Sequence, residues 1–163
     1  MRSLHAAGWV DIRPRYGVYV RERSEAELSQ LFEARAVIEG AIAGWAAERR
    51  TAEQLTSLRR VVAKSRRAVT RGDAKALSQS GYEFYAEMRA AAGNTVLGSL
   101  SAELEKRARF YFSMVAGDLG RDWVKLHAQV VELVAERDGG AAADLSSRHI
   151  LDTGAAVAAA LAR

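Results

Sequence analysis

From Ser24 to Arg49 the apolar residues Leu28, Leu31, Ile38, Ile42 and Trp45 recur at steps of three and four, which predicts one stripe of a long amphipathic helix. Arg35 falls inside that stripe. A guanidinium keeps its charge at any relevant pH, so a buried Arg35 needs an anionic partner. Glu39, one turn on, can supply it, and so can a ligand. Capping and turn residues divide the rest into five further helices. Thr51 with Gln54 opens the second, to Arg71, and Gly72-Asp73 precedes the third, over 74–91. Gly93-Asn94 starts the fourth, over 95–116; Gly117-Asp118-Leu119-Gly120 separates it from the fifth, over 121–137; Asp138-Gly139-Gly140 leads into the sixth, over 141–161. Short connections between long helices predict antiparallel neighbours, so the expected fold is all-α, a six-helix antiparallel bundle.

Residues 1 to 20 follow a different pattern. Trp9 to Ile12 and Val18 to Val20 are short β-prone runs, and Arg13-Pro14-Arg15-Tyr16-Gly17 between them has the turn chemistry of a hairpin. Two strands bury too little surface to be stable alone, so this hairpin reads as the end of something larger.

The stripes carry polar residues at the same depth as apolar ones. The third helix presents Leu77, Gly81, Phe84 with Tyr85, and Met88; the fourth Leu97, Leu100, Leu104, Arg107, Tyr111 and Met114. Val124, His127, Val131 and Val134 line the fifth, and Leu145, His149, Asp152 and Ala156 the sixth. If these stripes converge, they enclose a polar cavity inside a bundle, a place for a small ligand. Two arginines and two histidines there favour a small organic acid, because a guanidinium pairs a carboxylate in two-pronged fashion.

Composition narrows the function classes. The 163 residues suit one ordinary domain, and there is no cysteine, which removes disulfide frameworks, thiolate metal sites and cysteine nucleophiles. No apolar run reaches the roughly 18 residues of a membrane span, and no secretory signal opens the chain, so the expectation is a cytoplasmic protein. The net charge of +4 is compatible with nucleic acid without requiring it. A di-metal carboxylate bundle needs Glu-x-x-His pairs, and none of His5, His127 or His149 has a glutamate three residues earlier. With no Gly-x-Ser-x-Gly elbow or phosphate loop either, an enzyme is not expected.

The segment Leu4 to Val20, LHAAGWVDIRPRYGVYV, resembles the end of the winged helix-turn-helix domain of GntR-family bacterial transcription regulators. The resemblance implies that residues 1–22 are a remnant of that domain, the last turn of the recognition helix plus the wing, in a chain that looks truncated before them. It gives Arg13, Arg15, Tyr16 and Gly17 a DNA-binding role at backbone phosphate or the minor groove. Major-groove reading has no carrier in these residues.

Residues 23–163 resemble the FCD module, the effector-binding and dimerisation domain of the FadR-like branch of that family. Leu31-Phe32-Glu33-Ala34-Arg35 with Ile38-Glu39, Phe84, Ala91-Ala92-Gly93-Asn94, Leu126-His127, Arg137-Asp138 with Ala142 and Ala143, and Arg148-His149-Ile150 carry the resemblance. It implies a cytoplasmic homodimer that senses a small carboxylate and controls operator DNA binding through a full-length parent. The implied effector contacts are Arg35, Tyr85, Arg107, His127 and His149. Many members hold a divalent metal, zinc or nickel, with an aspartate, a histidine four residues later, and two later histidines. Here those positions are Gly81, Tyr85, His127 and His149, so only the last two keep a ligand, with Asp152 as a substitute or an orienting group. Two other readings stay open: a metal-dependent sensor using His127 and His149, and a dimerisation module with a filled core. The second predicts no cavity, Arg35 paired to Glu39, and histidines hydrogen-bonded to neighbours.

Overall fold

The computed structural model describes residues 10–13, 17–20 and 25–162. Strand β1 (Val10–Arg13) pairs antiparallel with β2 (Gly17–Val20), with Val10 opposite Val20 and Arg13 opposite Gly17 at the closing end. The hairpin expected from the β-prone runs is therefore formed. Pro14, Arg15 and Tyr16, the expected tip, lie outside the described residues, as does the Ser24 cap.

Five helices follow: α1 (Glu25–Arg49), α2 (Ala52–Arg71), α3 (Ala74–Ala92), α4 (Thr95–Glu136) and α5 (Gly139–Leu161). Their starts obey the local chemistry. Thr51 accepts from the Gln54 amide while the Gln54 side chain accepts from the Thr51 amide at 2.8 Å. Asp73, Asn94 and Asp138 cap α3, α4 and α5 through single side-chain oxygens.

The expected break at residues 117–120 is not made. Thr95–Glu136 is one helix of 42 residues, where two were expected. Glycine inside a helix costs only about 1 kcal/mol relative to alanine, and no proline is present to stop the ladder. Gly120 serves close approach: a Cβ there would collide with the Leu77 side chain of α3.

Helix α1 packs against α3, α4 and α5, and α2 closes the bundle against α3 and α4. The α1–α5 seam is built from small residues. Ala36, Ala43 and Ala47 are buried, and a Cβ at Gly154 would meet the Phe32 side chain at 2.7 Å, so these two helices approach more closely than leucine-lined helices could.

Two arginines where α1 gives way to α2 close the ends of other helices. The Arg49 guanidinium donates to the Ala92 carbonyl that ends α3, at 3.0 Å, and Arg50 donates to Val134 and Ala135 at the end of α4. Arg137, whose φ of 61° is left-handed, returns the favour to the Glu48 carbonyl at 2.7 Å.

Candidate functional site

Helical spacing brings three stripes to one place. From α3 comes Tyr85, from α4 His127, and from α5 His149, each at most 7% exposed. The His127 and His149 rings meet edge to face with centroids 5.3 Å apart, and Tyr85 meets His127 in the same manner at 5.6 Å. Phe84 lies flat beneath His127. The Tyr85, His127 and His149 rings form the floor of a cavity of about 40 Å³, completed by Thr153, whose hydroxyl donates to the His149 carbonyl. Its mouth is made of half-buried residues: Leu77, Ser78, Gly81, Tyr82 and Trp123. That volume holds a few waters, so a larger guest must use the mouth as well as the floor.

Burial governs the titration of these groups. His127 is held well below its ordinary value by desolvation, with His149 beside it adding to the effect. His149 is pushed down to about 4, first by burial and then by the charge of Arg35. Burial likewise keeps the Tyr85 phenol protonated. Both imidazoles are neutral at pH 7. The Nε2 of His127 is buried and finds no hydrogen-bond partner among the described residues.

Arg35 sits one layer deeper. It is fully buried with its guanidinium 5.4 Å from the Tyr85 ring centre, and it does not line the cavity. It faces Glu39, with Nη2 and Oε1 3.7 Å apart. That carboxylate oxygen accepts from Ser101 at 2.8 Å, and Ser101 in turn accepts from Arg89, which is paired to Glu105 at 2.7 Å. A chain of charged and polar groups thus ties α1, α3 and α4 together next to the cavity. Burial raises the Glu39 carboxyl from its ordinary value, while Arg35 and Ser101 draw it back down.

The structure therefore assembles Tyr85, His127 and His149, with Arg35 behind them. Arg107 is a correction. It lies on the exposed face of α4, because Ser101, Glu105 and Ala108 take the inward positions there; Leu100 is likewise 52% exposed. Asp152 is also exposed, which removes it as a partner of the buried His149 ring. Sequence reasoning missed Tyr82, Trp123 and Thr153. Trp123 stands one turn before His127, so extending the histidine's own stripe by four residues would have found it.

The metal ligands implied by the family resemblance do not fit here. Gly81 offers no donor, the Tyr85 phenol stays protonated, and among the described residues no three His, Cys, Asp or Glu side chains come together. Two imidazoles do not complete a zinc or nickel shell.

Known proteins agree with this architecture. The FCD domain family matches residues 30–152. A GntR protein of Streptococcus agalactiae is similar at 25% identity with a TM-score of 0.70, over 95% of this chain and 78% of that one. McbR/YncC of E. coli is similar in fold at 15% identity with a TM-score of 0.85, over 97% and 80%. Lar of Listeria monocytogenes, described as controlling expression of the agr system, is similar in fold at 18% identity with a TM-score of 0.67, over 98% and 75%. No curated protein matches the sequence. The fold is that of an FCD domain. The chain belongs to the FCD domain family, among GntR-type transcription regulators. No helix among the described residues is long and apolar enough to cross a membrane.

Proposed function

We propose that residues 23–163 are the effector-binding and dimerisation domain of a ligand-responsive transcription regulator, and that residues 1–22 are the end of its winged DNA reader. The single observation that carries the sensor reading is His127. Its ring lines the cavity and its buried nitrogen has no partner among the described residues, which is costly to leave unsatisfied, and a ligand is one way to satisfy it. The fold family and the regulators it resembles support DNA as the partner of the whole protein and a homodimer as its form. In this reading Arg13 and Arg15 reach DNA from the hairpin and contact the phosphate backbone.

Signalling then follows from differential binding. A ligand favours one arrangement of the bundle, and the two readers of a dimer shift relative to paired half-sites. Helix α4 suits this role, because it carries His127 near one end and Ser101 and Glu105, members of the buried polar chain, near the other.

The filled-core dimerisation module is the second reading. The Arg35–Glu39 pair favours it, whereas the unpartnered His127 nitrogen and the cavity do not. The organic acid expected from two arginines has lost Arg107 to the surface. The deciding experiment is a thermal-shift screen of this chain, followed by operator binding of the protein with its reader helices. A ligand that stabilises the chain and changes DNA affinity supports the sensor; one that binds and leaves DNA affinity unchanged refutes it.

A further inference from the structure

We propose that this cavity takes an uncharged, single-ring aromatic molecule carrying one hydrogen-bonding group, in place of an organic acid. The inference rests on the sensor reading above and narrows its ligand class.

Charge comes first. None of the nine described residues that line the cavity is lysine, arginine, aspartate or glutamate. The cation behind them, Arg35, already faces the carboxylate of Glu39, which Ser101 holds in place by a 2.8 Å hydrogen bond. An acid entering from the cavity would have to pass Tyr85 and would then meet an internal carboxylate at the same guanidinium. The described lining offers its charge no cation, and neutral donors offset only part of its desolvation. Arg109, near the mouth, stacks on the Tyr82 ring with its guanidinium carbon 4.0 Å from the centroid.

Shape comes second. Four of the lining residues, Tyr82, Trp123, Tyr85 and His127, are aromatic, so a flat guest is surrounded by rings. At Gly81, which lines the cavity, a Cβ would meet nothing within 4 Å, so the space there is open to a guest. At about 40 Å³ the cavity is smaller than one ring, so the guest enters by parting the half-buried side chains of the mouth.

The polar handle comes third. The His127 ring lines the cavity, and its Nε2, covered in this structure, has no partner among the described residues, so a hydroxyl or ring N–H on a guest that displaces the covering atoms would pair with it. A carbonyl guest would do so with the other tautomer.

The test compares phenol with benzoate, two guests of one ring that differ in charge, by thermal shift and calorimetric titration of this chain. Phenol is expected to raise the melting temperature and to bind roughly tenfold or more tighter than benzoate, a difference of about 1.4 kcal/mol. Gly81→Leu, which fills the entrance, abolishes the phenol effect. His127→Phe, which keeps the ring and removes the nitrogen, weakens it and serves where Gly81→Leu does not fold. Benzoate binding as well as or better than phenol, with loss in Gly81→Leu, overturns the ligand class and leaves the sensor reading standing. Binding of neither probe, or binding indifferent to both substitutions, overturns the class and the cavity as a sensor site together.

Discussion

The His127 ring lies flat on Phe84, with centroids 3.9 Å apart and planes 7° from parallel. A histidine in that position is packed as an aromatic would be, yet it buries a nitrogen that no described residue satisfies. The stability of the domain therefore does not need the imidazole. His127→Phe is expected to be as stable as the parent or more so by up to about 1 kcal/mol, because it removes the cost of the buried polar atom and the adjoining cavity accepts the larger ring. Urea denaturation checks this. A loss of several kcal/mol would mean that the imidazole has a structural partner.

Acid should weaken the fold through the histidines. His149 titrates at about 4 in the folded chain and near 6.5 when unfolded. Below pH 6.5 the unfolded chain binds a proton that the folded one refuses, so the stabilisation is complete above that pH and is lost as pH falls toward 4. For His149 alone the loss is on the order of 3 kcal/mol. His127 acts in the same direction. Glu39, with a raised value, opposes them, since its contribution is largest in acid and declines as pH rises through its folded value. His149→Gln should flatten the fall between pH 6.5 and 4, measured as unfolding free energy against pH; an unchanged slope would contradict the assignment.

The Arg35–Glu39 pair should show the asymmetry of buried ions. Glu39→Gln leaves a buried guanidinium without its counter-charge and is expected to cost about 3–5 kcal/mol. Arg35→Met combined with Glu39→Leu should recover much of that, since two apolar side chains bury no charge. The coupling energy from the double-mutant cycle decides the matter, and additive losses would show that the two residues act separately.

A metal site should be restorable. Gly81→Asp with Tyr85→His places four potential ligands, with His127 and His149, at the positions that the family resemblance implies, and the space in front of Gly81 is open. The double variant is expected to melt several degrees higher with zinc or nickel, and the parent is expected to show no such shift. Chelator-reversible stabilisation of the parent would overturn the conclusion that its own residues do not fit a metal.

Much of this was legible in residue spacing and capping chemistry. Thr51, Asp73, Asn94 and Asp138 mark helix starts because their side chains answer orphan amides within one turn, a purely local effect. Arg35, His127 and His149 were legible as buried because polar residues on an apolar stripe share its depth. The continuity of α4 was not, since whether Gly120 breaks a helix or admits Leu77 depends on a neighbour far away in sequence. Arg107 failed for a smaller reason. On a helix of 42 residues a stripe counted in threes and fours drifts, and Glu105 and Ala108 were the inward positions. The capping roles of Arg49 and Arg50 were invisible for the same non-local cause, because the carbonyls they serve end other helices.

The most direct test of the sensor account is the ¹⁵N spectrum of the His127 imidazole during titration with a compound that stabilises the chain. The account predicts that Nε2 moves on binding in the direction of a new hydrogen bond, while the resonances of residues remote from the cavity follow only in proportion to occupancy. Stabilisation that leaves the His127 nitrogens unchanged would contradict it and place the ligand elsewhere.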